Sequence, residues 1–209
     1  MKITNEDCMK LMSRYEDNHF DLAIVDPPYG IGESKKKREN TKSSKWKKPT
    51  KKIHNTKDWD LQKPTKEYFN ELFRVSKNQI IWGGNYFYLK PTRCFLIWDK
   101  QQPQNVSFAS CELAWTSFDQ SAKTFYMRPQ NANNIRIHPT QKPVKLYDWL
   151  LMNYAKEGDK IFDTHLGSGS IAIACHNLGY DLTGYELDKE YYDNAIKRIK
   201  NHQAQTRIF

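Results

Sequence analysis

The last third of the chain alternates strand and helix in an order that leaves few folds open. Lys160-Ile161-Phe162-Asp163 reads as a buried strand, and Gly167-Ser168-Gly169-Ser170 as a tight turn. Ile171 to Leu178 is an apolar helix, Asp181 to Glu186 a second strand, and Lys189 to Asn201 an amphipathic helix. A strand–turn–helix–strand–helix run implies parallel strands joined by right-handed crossovers. The fold class expected is therefore α/β, a doubly wound, mostly parallel sheet of Rossmann-like type.

The rest of the chain can supply further layers of the same sheet. Residues 1–4 form a short strand, Met9 to Tyr15 has helical spacing, and Phe20-Asp21-Leu22-Ala23-Ile24-Val25 reads as a buried strand. Thr65 is placed to cap a helix whose apolar stripe is Tyr68, Phe69, Leu72, Phe73 and Val75. Strands are expected at Gln79–Trp82, broken by Gly83-Gly84, and at Cys94–Trp98 and Cys111–Thr116; a helix follows Pro143 from Lys145 to Tyr154. Residues 117–137 look irregular. A length of 209 residues, with 38% hydrophobic and 13% aromatic side chains, suits one domain with an ordinary core. No window has the apolar length to cross a bilayer and no signal-peptide segment opens the chain, so it reads as cytosolic. Cys8, Cys94, Cys111 and Cys175 form no C-x-x-C pair, which argues for buried free thiols over disulfides or a zinc site.

Two motifs carry chemistry. The first is Asp26-Pro27-Pro28-Tyr29, closing the strand that begins at Phe20. The prolines fix φ and remove two backbone donors, so the turn offers carbonyls free of competing N–H groups. A carboxylate and the Pro27 carbonyl can accept the two hydrogens of one amino group, and the Tyr29 ring offers a face for a planar base. The second is Asp163-Thr164-His165-Leu166-Gly167-Ser168-Gly169, at a strand-to-helix turn where glycines let a ligand approach the backbone. Glu186 ends the next strand 23 residues after Asp163, a spacing suited to a carboxylate on a ribose diol. An acid ahead of the glycines repels a pyrophosphate and attracts an ammonium. A cofactor with a ribose and an amino acid fits, and S-adenosyl-L-methionine is such a molecule.

The net charge of +9 sits in one place. Between Lys35 and Lys57 eleven Lys/Arg face one acid, Glu39, a local balance of about +10 that leaves about −1 for the remainder. This segment, with Trp46 as its one aromatic, cannot build a core and reads as a solvated loop. Beginning six residues after Tyr29, it is also placed to hold phosphates.

Taken together, these motifs resemble the amino-methylating DNA methyltransferases of the N6-adenine/N4-cytosine family. The likeness is to the permuted (β) group, in which D-P-P-Y precedes the cofactor glycines. Asn5-Glu6-Asp7-Cys8 is similar to the family's G-D-C segment, with Glu6 in place of glycine, and His138-Pro139-Thr140-Gln141-Lys142-Pro143 looks like its H-P-T-x-K-P motif. The segment Asp163–Gly169 stands where the family has D-P-F-x-G-x-G, with Thr164 and His165 replacing the proline and the aromatic. Gly184-Tyr185-Glu186-Leu187-Asp188, with Tyr191, Ala195 and Arg198, resembles the ribose strand and the helix after it. The resemblance implies a catalytic set of Asp26, Pro27, Pro28 and Tyr29. It implies cofactor contacts from Asp7, Thr140, Lys142, Asp163, His165, Leu166, Gly167, Ser168, Gly169 and Glu186. DNA contacts are expected from Lys35, Lys36, Lys37, Arg38, Lys45, Lys47, Lys48, Lys51 and Lys52 of the basic segment and from Arg128 and Arg136. No metal is implied, and a cytoplasmic protein of bacterial or phage type, monomeric or homodimeric, is expected.

The implied reaction is direct displacement on a base flipped out of the duplex, with no covalent enzyme intermediate. Asp26 favours adenine N6, because family members acting on cytosine N4 more often carry serine there. Cytosine N4 is the first alternative. RNA or a protein amide is the second, and a catalytically inactive nucleic-acid-binding relative the third. A nicotinamide oxidoreductase is opposed by Asp163. Residues 117–137 are expected to read the target sequence as a small insertion, with the basic loop on the backbone. Glu112 either approaches the target base or satisfies backbone donors; His138 either caps the loop before its helix or lines the cofactor.

Overall fold

Alternation within the apolar strands dictates a sheet buried on both faces. In Phe20–Val25, Leu22 and Ile24 join one core cluster while Phe20, Ala23 and Val25 join another. The same division holds in Ser76–Trp82, where Ile80 and Trp82 take one side and Ile81 the other, and in Lys160–Asp163, where Ile161 and Phe162 part company. Strands with both faces apolar need helices on both faces. A computed structural model describes residues 1–32, 62–103, 109–129, 137, 138 and 140–205 of the chain, and its architecture meets that need.

The elements run β1 (Lys2–Thr4), α1 (Cys8–Met12), β2 (Phe20–Val25), α2 (Lys66–Val75), β3 (Ser76–Trp82), β4 (Leu96–Asp99), β5 (Cys111–Thr116), β6 (Lys123–Tyr126), α3 (Val144–Tyr154), β7 (Lys160–Asp163), α4 (Ser170–Leu178), β8 (Asp181–Tyr185) and α5 (Lys189–Gln203). The eight strands form one sheet in the order β1-β8-β7-β2-β3-β5-β4-β6. Neighbours pair in parallel except where β5 runs antiparallel to β3 and to β4. Helices α1 and α2 supply Leu11, Met12, Tyr68, Leu72 and Val75 to one core, and α3, α4 and α5 supply Leu146, Leu150, Ile171, Ala195 and Ile199 to the other. The doubly wound α/β expectation holds. No helix among the described residues is long and apolar enough to cross a membrane.

Connectivity fixes where a ligand can sit. From β2 the chain passes through α2 to β3 on one side; from β7 it passes through α4 to β8 on the other. Since β2 and β7 are paired neighbours (Leu22 opposite Ile161, Ala23 opposite Phe162), the two connections diverge between them. Such a switch point opens a crevice at the carboxyl ends of the strands. Asp26 follows β2 and Asp163 ends β7, so the two sequence motifs meet there.

Three differences from the sequence expectations have physical reasons. Residues 123–126, placed in an irregular stretch, form edge strand β6 alongside β4, tied by the Trp98 indole N–H donating to the Met127 carbonyl at 2.8 Å. A short edge strand buries little, so its alternation is faint. Thr65 stands at the N-cap of α2 in extended conformation but its side chain makes no capping bond. Cys94 and Cys175 are buried thiols as expected, whereas Cys111 is exposed at the start of β5. The basic segment's expected DNA contacts, Lys35 through Lys52, lie outside the described residues, as does Arg136.

Phe162 joins the layers around the crevice: it is fully buried, stacks on Phe20 at 4.1 Å between centroids, and leans on Tyr185 at 5.9 Å. Phe162→Ala is expected to cost about 3–5 kcal/mol, measured as a lowered midpoint of urea unfolding at unchanged slope.

Candidate active site

The D-P-P-Y turn is held by a buried lysine. Asp26 Oδ2 lies 2.5 Å from Lys142 Nζ, and Asp26 Oδ1 accepts from the Tyr29 hydroxyl at 2.6 Å. Lys142 also approaches Glu112 Oε2 at 3.1 Å and the Tyr29 oxygen at 3.4 Å. Glu112, near the start of β5, pairs through its other oxygen with Lys100 Nζ at 2.7 Å. Burial alone would strip Lys142 of its proton, but Asp26 and Glu112 overcome it and hold the ammonium above its ordinary range. Burial likewise pushes Glu112 up, yet Lys142 and Lys100 keep it below the usual carboxylate range. Both groups are therefore charged at neutral pH. Burial, with Asp26 next, drives the Tyr29 phenol well up, so Tyr29 is a neutral donor.

Tyr29 is seated by backbone. A Cβ at Gly83, whose φ is +69°, would fall 2.2 Å from Tyr29 Cε1, so the residue after β3 must be glycine for two reasons. The Tyr86 ring lies nearly parallel to Tyr29 at 5.0 Å between centroids, and Phe87 meets it edge-on at 6.2 Å. Gly83-Gly84 was read from sequence only as a strand break; Gly83 is part of the Tyr29 seat, and Gly84 lets Trp115 approach. Lys63 packs over Gly30 and donates to the Tyr86 carbonyl at 3.0 Å.

The glycine turn lies beside this cluster. Asp163 is 2% exposed, and its Oδ1 accepts from the His165 backbone N–H at 2.9 Å. No ammonium or guanidinium pairs with it among the described residues. Burial, followed by the charges on Asp26 and Glu186, pushes its carboxyl up to about 8 despite the His165 bond. A buried carboxyl in that state is a seat for a cation. Gly167, at φ +52°, has nothing within 3.8 Å of where a Cβ would stand, and the nearest ring there is His138. A Cβ there would make ordinary van der Waals contact with the His165 carbonyl and the His138 ring, so it is the positive φ that calls for glycine. Gly169, at φ +71°, instead lets α5 close in, a Cβ there falling 3.0 Å from Ile199 Cδ1.

Glu186 closes the turn from β8. Its Oε2 accepts from Gly167 N–H at 2.8 Å and its Oε1 from Asp188 N–H at 3.0 Å. His138 stacks edge-on against Tyr191 at 4.4 Å, and Thr140 Oγ1 bonds its Nδ1 at 3.1 Å. His165 Nδ1 bonds Thr164 Oγ1 at 2.8 Å, and that oxygen bonds the Tyr68 hydroxyl at 2.6 Å. Burial lowers His165 to about 4, so its ring is neutral. Leu166 and Ser168 are buried beneath the turn. Asp7 is the N-cap of α1, accepting from Met9 N–H at 2.9 Å and Lys10 N–H at 3.3 Å. Arg128 is exposed just past β6.

Comparison with known proteins agrees with this arrangement. A family model described as DNA methylase matches residues 97–197. The Type II methyltransferase M.HpaI of Haemophilus parainfluenzae is 21% identical over 229 residues, covering 91% of this chain and 71% of its own. The stretch 97–197 is thus similar to the N6-adenine/N4-cytosine DNA methylases. Among solved structures, the M1.HpyAVI–SAM complex superposes with a TM-score of 0.58 at 20% identity, over 95% of this chain and 98% of that one. The cytosine-N4-specific PvuII DNA methyltransferase reaches a TM-score of 0.61 at 11% identity, over 96% and 90%.

In this chain the fold gathers Asp26, Tyr29, Lys142, Asp163, Gly167 and Glu186 around one crevice. Lys142, assigned to the cofactor from its motif, has its ammonium on Asp26 instead. Lys100 was not singled out, and Glu112 was left open. Their signal was an acid and a base at the near ends of two strands in antiparallel register, Trp98 opposite Glu112 and Asp99 opposite Cys111. Trp82 was read only as strand; its ring lies 5.2 Å from Lys142 Nζ, and its buried indole N–H has no hydrogen-bond partner among the described residues.

The Asp163 carboxyl sets a pH dependence. A raised native value means that its contribution to stability is complete below the unfolded value near 4 and is lost as pH rises through about 8. Asp163→Asn is expected to stabilise the ligand-free protein at pH 8–9 by on the order of a few kcal/mol, with the gain shrinking toward pH 5, as read from urea unfolding across that range.

Proposed function

We propose that the chain transfers the methyl group of S-adenosyl-L-methionine to the N6 amino group of adenine in DNA. The observation that carries this reading is the junction of β2 and β7, where an acceptor carboxylate, Asp26, stands beside a buried carboxyl, Asp163, that pairs with no ammonium or guanidinium among the described residues. The first suits an exocyclic amine and the second the ammonium of an amino-acid cofactor. Residues fitting that cofactor are Asp163 at its amino group, Gly167 and the backbone around it, and Glu186 at a ribose diol, with His138, Thr140 and His165 at the margins. When bound, the cofactor supplies an electrophilic sulfonium methyl. Asp26 and the Pro27 carbonyl accept the two amino hydrogens and orient the nitrogen lone pair. Tyr29, with Tyr86 parallel to it, provides aromatic surface for the base. Preorganised acceptors of this kind lower the barrier without reorganising at the moment of transfer. With the cofactor bound, its methyl would pass to the amino nitrogen, and the proton that nitrogen gives up would be taken through its hydrogen bond to Asp26.

Exposed Arg128 next to edge strand β6, and the basic segment after Tyr29, fit contacts to the phosphate backbone. Methylation of cytosine N4 is the second reading, favoured by the fold likeness to a cytosine-N4-specific enzyme. Nucleosides from DNA treated with the protein and isotopically labelled cofactor are to be separated by mass. Label in N6-methyl-deoxyadenosine supports the first reading, and label in N4-methyl-deoxycytidine replaces it with the second. Asp26→Ala is expected to lower transfer by about a thousandfold or more, while cofactor affinity measured by calorimetry stays near wild type.

A further inference from the structure

Asp26 does not stand alone. Two carboxylates, Asp26 and Glu112, and two ammoniums, Lys142 and Lys100, alternate along one line of contacts at 2.5, 3.1 and 2.7 Å. Their formal charges cancel. Lys142 is anchored at its other end, where its backbone carbonyl accepts from Ser170 Oγ at 2.8 Å at the start of α4. Its side chain is 2% exposed, so the ammonium has little water to share its charge.

This arrangement bears on the reaction proposed above. Asp26 has to accept from an incoming amino group while Tyr29 and Lys142 already donate to it. An ammonium paired with Asp26 alone would concentrate its charge there and weaken the carboxylate as an acceptor. Glu112 shares that ammonium, and Lys100 in turn balances Glu112. Without Lys142, Asp26 and Glu112 would be left as two carboxylates with no shared cation, a costly state in a buried site. We propose that Glu112, acting through Lys142, is a positioning residue for methyl transfer: it holds the ammonium between two carboxylates so that Asp26 stays fixed and keeps acceptor capacity for the amino group of the base. This inference rests on the amino-methylation reading and adds to it a residue outside both motifs.

The test uses the full chain with Glu112→Gln, Lys142→Met, the double variant and Lys142→Arg. Cofactor affinity is measured by calorimetry, and single-turnover transfer to DNA at saturating cofactor by incorporated label. Glu112→Gln is expected to slow single turnover by about tenfold or more with cofactor affinity near wild type. Lys142→Met is expected to lose more, the double variant less than the sum of the two losses, and Lys142→Arg to regain part of the rate. Glu112→Gln turning over at the wild-type rate overturns the proposal. So does a Lys142→Met defect that lies wholly in cofactor affinity, with the rate at saturation unchanged. A wild-type protein that binds cofactor but methylates no nucleic acid overturns the functional reading instead. Urea unfolding of the same set then decides the charge sharing itself. A Lys142→Met loss of midpoint partly restored by adding Glu112→Gln supports it, and additive losses overturn it. If Lys142→Met does not fold, wild-type midpoints for both Glu112→Gln and Lys142→Arg overturn it, and lowered midpoints in both support it.

Discussion

The contact on which the site depends is the buried pair of Lys142 and Asp26. Lys142 is fixed at both ends: its carbonyl to Ser170, in the first turn of α4, and its ammonium to the acid that follows β2. Ser170 Oγ in turn accepts from Arg198 of α5 at 3.0 Å, and Arg198 also donates to the Ser168 carbonyl at 2.8 Å. A single residue therefore ties the D-P-P-Y turn to the glycine turn and, through it, to the last helix. A charge this deeply buried is tolerated only with partners in good geometry, which makes the contact a strong constraint on the backbone around it.

Electrostatics then separates the crevice into two halves of different character. Around Asp26 the charges are balanced and the groups are hydrogen-bonded, so the carboxylate is held in place. Around Asp163 they are not: a carboxyl with one backbone N–H and no cation of its own is pushed far toward its neutral form. The first half is complete without a ligand, while the second is completed by a positively charged one. That contrast arises from a few ångströms of chain, because β2 and β7 are adjacent strands and their C-terminal residues share the crevice.

Much of this was legible in the order of residues, for identifiable reasons. Strand β7 was read with its observed bounds and β2 to its last residue, because β-branched and aromatic residues that end in an acid beside turn formers admit few alternatives. The glycine turn was legible because Gly167 and Gly169 take positive φ, where other residues are strained. What was not legible depends on tertiary approach. Gly83 looked like a strand terminator, and only the position of Tyr29 explains why no side chain fits there. Lys142 looked like a cofactor ligand by its motif, and only the bond from Ser170 to its carbonyl and the approach of Asp26 show where its ammonium goes. Glu112 and Lys100 could be paired only once β4 and β5 were known to be antiparallel.

The permuted order of the motifs follows from the same geometry. A crevice at a topological switch point is defined by which strands are neighbours, not by which comes first in the chain. Because β2 pairs with β7 directly, the D-P-P-Y turn lies beside the glycine turn although Asp163 comes 137 positions after Asp26. Antiparallel β5 extends the sheet past β3 and brings Glu112 toward Lys142, which no extension of the parallel half on the β8 side could do. The sheet's mixed character is thus tied to its chemistry: the parallel strands build the crevice, and the one antiparallel strand delivers the carboxylate that balances it.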